Sequence, residues 1–161
     1  MTLMELLASL LVLTMLTAAM AASMGAALES YEDSLFQSNS GILTGIVNTT
    51  LGDLLRYAGD VRQEGDGVVF TNAEYGVYNG TLALSEDGTL QILESATGQR
   101  RELLNSGVYT GLRIQSLTAV YVPPDTNGKR GGYFEILYTI ASSDASKARH
   151  TETVVRVLNA E

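Results

Sequence analysis

The rhythm of apolar and polar positions divides the chain into three stretches. From Leu6 to Leu28 there are 23 residues without a charge or a Pro, rich in Leu, Ala and Met, with no polar face. Good helix formers in a run that is apolar all round predict a helix whose every side needs an apolar surrounding. At 1.5 Å per residue such a helix covers roughly 34 Å, the thickness of a bilayer's hydrocarbon. After Leu28 the pattern turns amphipathic. Leu28, Tyr31, Leu35, Ile42, Leu43, Ile46, Val47, Thr50, Leu51, Leu54, Leu55 and Ala58 recur at three- and four-residue spacing, with Glu29, Glu32, Asp33, Asn48, Asp53 and Arg56 mostly off that stripe. The two stretches together predict one helix from Thr2 to Ala58, roughly 85 Å long. Gly59 is expected to close it. The polar patch Gln37-Ser38-Asn39-Ser40-Gly41 is the place where this helix could kink or break, and Gly25 is a second weak point.

From Asp60 onward the period shortens to two. Strands are expected at Val68 to Asn72, Glu74 to Tyr78, Thr81 to Ser85, Thr89 to Glu94, Arg100 to Leu104, Leu112 to Val122, Tyr133 to Ser142 and Thr151 to Leu158. Alternation is clearest at Phe134, Ile136, Tyr138 and Ile140, and Leu82 and Leu84 should face Leu90 and Ile92 across a turn at Glu86-Asp87-Gly88. Hairpin separations imply antiparallel pairing. The expected fold class is therefore α+β, with one curved antiparallel sheet whose apolar face is covered by the Ile42 to Ala58 part of the helix. Three segments follow: an apolar helix at 1–28, its amphipathic continuation at 29–59 and a β head at 60–161.

Composition narrows the function. The 161 residues carry 18 acids and 10 bases, a net charge of -8, with only two Lys and no basic run. This argues against a phosphate-tracking protein, and no nucleic-acid site is evident. With no Cys, disulfides, thiol nucleophiles and cysteine-zinc sites are excluded. All five Met lie within the first 24 residues, and Glu5 is the only charge before Glu29.

Glu5 is the anomaly of the apolar stretch. A carboxylate at membrane depth costs up to about 2.5 to 3.5 kcal/mol when unpaired. It can protonate, snorkel, turn back to the free N–H groups of its own first helical turn, or meet a cation brought by a neighbour. The Met1 ammonium of a copy displaced along the axis is such a cation, and that pairing would fix an axial register.

The start MTLMELLASLLVLTMLTAAM resembles the N-terminus of mature type IV pilins and pseudopilins, with Met1, Thr2, Leu3 and Glu5 in matching places ahead of the apolar run. Thr14 and Ala22 stand where many of those proteins have Gly and Pro. The resemblance implies a structural subunit of a helical surface filament, held in the cytoplasmic membrane before assembly and extracellular afterwards. It implies a prepilin peptidase that removes a leader ending in Gly, an N-methylated Met1, and a pilus assembly machinery. Met1, Thr2 and Glu5 would set the contacts between subunits, the partner being further copies of the chain. Major pilin, minor pilin and pseudopilin of a secretion or competence system remain open at this point. So does a membrane-anchored or secreted binding module, in which the helix is a tether or a signal peptide cut near Ala21.

No enzyme is expected, since no G-x-S-x-G elbow or positioned base accompanies Ser142-Ser143-Asp144. No cofactor or metal is expected either. His150 is read as a solvated residue at a strand start, and the Pro123 to Gly128 loop as a turn lacking the acids of a calcium site. Asn48-Thr49-Thr50 and Asn79-Gly80-Thr81 are read as chance glycosylation sequons, and Tyr31, Phe36 and Tyr57 as packing anchors.

Overall fold

The computed structural model describes residues 2–65, 67–95, 97–125 and 131–158. Two compact units result, Met1–Ser38 and Asn39–Glu161. Helix α1 runs without a break over Leu3–Arg56, 54 residues, and contributes to both. It passes through Gly25 and through Gln37 to Gly41. A helical Gly costs only about 0.5 to 1 kcal/mol. Just beyond the patch, the helix buries Leu43 and Val47 completely or nearly so, which outweighs that cost.

In the first unit every described side chain up to Leu35 is exposed. The second unit holds the core. There α1 buries Ser40, Leu43, Val47, Leu51, Leu54 and Leu55, a face at the three- and four-residue spacing of a helix. Ile42, expected on that face, is 61% exposed.

Among the described residues eight strands follow. β1 (Gly59–Glu64), β2 (Gly67–Asn72), β3 (Val77–Leu84), β4 (Leu90–Glu94) and β5 (Arg100–Glu102) form one antiparallel meander in sequence order. β6 (Leu112–Val122), β7 (Tyr133–Ser142) and β8 (Ala148–Arg156) form a second. The expected single sheet is thus two. Between β5 and β6, Ser106–Val108 makes one turn of 3-10 helix, its first turn closed by Gly107 N–H donating to Asn105 Oδ1 at 2.9 Å. The two sheets meet where Phe70 of β2 and Phe134 of β7 stand edge to face with centroids 6.5 Å apart; within the second sheet Tyr121 of β6 lies 5.3 Å from its cross-strand partner Phe134. Tyr109 adds a polar tie, its hydroxyl accepting the Leu90 N–H at 2.7 Å; burial pushes this phenol's pKa up, partly offset by that N–H.

Alternation placed β7 correctly: Phe134, Ile136, Tyr138 and Ile140 are all buried. Leu82 pairs with Ile92 and Leu84 with Leu90, as the turn at Gly88 required. In β6 the register shifts between Ile114 and Ser116, and this bulge lets Ile114 and Leu117, three residues apart, both join the core.

Four expectations need correction. Gly59 does not close the helix; it opens β1, and Asp60 takes the left-handed backbone at φ 49°. The last carbonyls of α1 are satisfied instead by Asn72 Nδ2 donating to Leu54 O at 2.7 Å, Ala58 N–H to Leu55 O at 3.2 Å and Leu158 N–H to Arg56 O at 2.8 Å. β1 itself was missed because only Val61 packs against the core from its polar sequence. Residues 74–76 form a turn, not a strand, because the Asn72 carboxamide accepts the N–H groups of Glu74 and Tyr75. Finally, β8 begins at Ala148 and stops at Arg156, ahead of Leu158.

Candidate functional site

The first turn of α1 is built by Thr2 and Glu5. Thr2 lies just outside the helix and Glu5 three residues on. The Thr2 N–H donates to Glu5 Oε2 at 2.8 Å, and the Glu5 N–H reaches Thr2 Oγ1 at 3.4 Å. This reciprocal capping box satisfies N–H groups that a helix start leaves open. Such a cap typically contributes about 1 kcal/mol, and the carboxylate sits at the end of the helix that favours negative charge. Of the arrangements open to Glu5, the turn back onto its own first helical turn is the one formed. Met1 lies outside the described residues, so its amine, its methylation and its pairing with Glu5 have no geometry here.

Beyond the cap, each hydroxyl in the apolar stretch is returned to the helix backbone. Ser9 donates to Leu6 O, Thr14 to Leu11 O, Thr17 to Leu13 O and Thr14 O, and Ser23 to Met20 O, all within 2.8–3.1 Å. A helix whose polar groups are all internally bonded is compatible with hydrocarbon, where an unmet donor has no water to turn to. The side chains point the same way. The most apolar 18-residue window of α1 is 0% buried, and Leu3, Leu10, Val12, Leu16, Met20 and Leu28 are among its exposed apolar groups. At roughly 1 kcal/mol for each half-exposed large side chain, water would penalise this face by on the order of 10 kcal/mol, comparable with the whole stability of a domain. The helix is long and apolar enough to cross a membrane.

Concave surfaces among the described residues of the head include the following two. One, about 550 Å³, lies on β6–β8 and is lined by Ser116, Thr118, Leu137, Thr139, His150 and Glu152 among others. Across it Ser116 Oγ donates to Thr139 Oγ1 at 3.0 Å, and Thr139 Oγ1 is 2.9 Å from His150 Nδ1. His150 is exposed, yet it stands inside β8 and in a cross-strand polar row, not at a strand start. The second, about 270 Å³, lies between α1 and β8.

The remaining candidates resolve into local structure. Asp144 accepts from Ser142 Oγ at 2.5 Å and from the Ser146 hydroxyl at 2.8 Å and N–H at 3.1 Å, and these bonds hold its carboxyl down at about 2. Ser142 is therefore engaged in a turn. Asn48 sits in mid-helix, and its Oδ1 accepts from Tyr138 Oη at 2.7 Å and Thr153 Oγ1 at 2.8 Å. Asn79 is exposed at φ 52°, its Oδ1 taken by Arg62 Nη2 at 2.8 Å. Tyr31 and Tyr57, expected as packing anchors, are 61% and 45% exposed, while Phe36 is half-buried. Thr126 to Gly128 of the suspected turn lie outside the described residues. Among the described residues no three His, Cys, Asp or Glu side chains cluster as a metal site.

No protein-family model, curated protein or solved structure matches the chain. What stands is the architecture: an apolar N-terminal helix long enough to cross a membrane, followed by antiparallel sheets packed on its second half. That layout is compatible with a pilin.

Proposed function

We propose that the chain is the structural subunit of a pilus-like helical filament, parked in the cytoplasmic membrane before assembly and displayed outside the cell afterwards. The observation that carries this reading is the exposed apolar face of α1 that starts at the Thr2–Glu5 cap itself. Lipid satisfies such a face before assembly, and a bundle of sibling helices satisfies it afterwards. In the bundle, Glu5 takes a cation from a displaced neighbour, which the pilin resemblance makes the Met1 ammonium; an ion pair of that kind sets register more than stability. The peptidase, the assembly machinery and the methylation of Met1 belong to the same resemblance. The reading assigns the chain no catalysis and no cofactor.

A Glu5→Ala chain is expected to reach the membrane and to keep the head's melting transition, yet to incorporate poorly into polymer. Wild-type levels of incorporation would remove Glu5 from the mechanism. A second reading is favoured by the concave surface of β6–β8: a membrane-anchored module whose head binds a ligand around Thr139 and His150. It predicts a chain that stays unpolymerised.

A further inference from the structure

The smaller concavity of the head has fixed walls and an open floor. Thr153 Oγ1 donates to Asn48 Oδ1 at 2.8 Å and the Leu158 N–H to Arg56 O at 2.8 Å, so strand β8 and the end of α1 are tied on both sides of it. At Gly52 an added Cβ would meet nothing within 4 Å. Val154 and Leu158, 57% and 63% exposed, give the groove apolar surface, and Arg56 and Arg156 give it two exposed cations. On a chain with 18 acids and 10 bases, a groove with two arginines is a local exception.

Its complement is present in the same sequence. Met24, Leu28, Tyr31 and Leu35, at spacings of four, three and four, form one exposed apolar stripe on α1. Glu32, exposed, stands beside that stripe, and Glu29, also exposed, lies further round the helix. Hydrocarbon suits the stripe but not the Glu32 carboxylate, whereas a groove with apolar walls and guanidinium groups suits both. We infer that this groove receives the Met24 to Leu35 part of α1 from a second copy. Leu28 and Tyr31 lie over Gly52, Val154 and Leu158, and Glu32, at the edge of the stripe, pairs with the arginines Arg56 and Arg156. The inference rests on the filament reading and adds the contact that seats one subunit's head on the next subunit's helix. Lined by eight residues, the groove falls short of the roughly 20 residues a side that a specific pair buries on its own. The contact therefore forms together with the bundling of the apolar helices and not in its absence.

Because the chain has no Cys, oxidative cross-linking tests this directly on the full-length protein. Tyr31→Cys and Gly52→Cys chains are co-expressed and oxidised in membranes and in sheared polymer. Glu86→Cys replaces Gly52→Cys as the control, and Leu10→Cys homodimers report helix bundling. The expected result is a Tyr31→Cys to Gly52→Cys heterodimer, absent with Glu86→Cys. Reversing charge with Arg56→Glu and Arg156→Glu should cut its yield by roughly tenfold, and adding Glu32→Arg should restore it in part. Melting of each variant in detergent, unchanged from wild type, separates these effects from misfolding. Leu10→Cys dimers without the heterodimer overturn the groove contact and leave the filament reading standing; loss of both overturns both.

Discussion

Gly88 shows how much one position decides. Its φ of 76° is left-handed, and a Cβ there would come within 2.7 Å of Ile114 O and 2.8 Å of Arg113 Cβ. Its carbonyl also accepts the Ile114 N–H at 2.9 Å, a backbone bond from the β3–β4 turn to β6. Gly88→Ala should therefore lower stability by about 2 to 4 kcal/mol, combining a backbone and a steric cost, as measured by denaturant unfolding in detergent. Asn72 is a second such residue: 1% exposed, it serves the Leu54 carbonyl with its amide and two turn N–H groups with its oxygen. Asn72→Ala leaves the buried Leu54 carbonyl and two part-buried turn N–H groups without this partner and should cost about 1 to 3 kcal/mol by the same measurement. Asp144 gives a pH signature. Its folded carboxyl titrates at about 2, below the ordinary 3.8, so its contribution is full above about pH 4 and disappears as pH falls toward 2. Wild type should melt higher than Asp144→Asn at pH 7, with the gap closing near pH 2; a gap that persists there would show that the turn does not depend on the carboxylate.

Among the elements, those with a strict period were legible in the sequence. β6 and β7 fall at the expected bounds, and α1 spans nearly the expected range. What was hidden depended on groups distant in sequence. The helix terminus is set by Asn72 and Leu158, not by Gly59, and the turn at 73–76 is organised by a side chain that the period-two pattern assigns to a strand. The division into two sheets follows from the connection through Ser106–Val108, which carries no apolar rhythm. Of the candidate site, Thr2 and Glu5 were visible as residues, while their reciprocal bonding required coordinates. Two element-scale outcomes follow. Leu51, fully buried on α1, should lose about 2 to 5 kcal/mol of stability as Leu51→Ala. Leu13→Lys, a charge in the middle of the uncharged run, should instead leave the head's melting unchanged and shift the chain out of the carbonate-resistant membrane fraction; retention there would argue that the helix is held by protein and not by lipid.

At the scale of the whole molecule, two units ask for different surroundings. The head closes its own core from both sheets and one face of α1, and the described residues 2–38 close none. So large an apolar surface needs an apolar surrounding, and the proposed filament supplies it first as lipid and then as copies of the chain. The decisive measurement is electron microscopy of material sheared from the surface of cells that make this chain, labelled with antibody raised against the head. The account predicts thin labelled filaments of helical symmetry from wild-type cells and few or none when Glu5 is replaced by Gln. Wild-type cells whose labelled chain stays in the membrane without filaments, or filaments equally abundant from the Glu5→Gln chain, would contradict it.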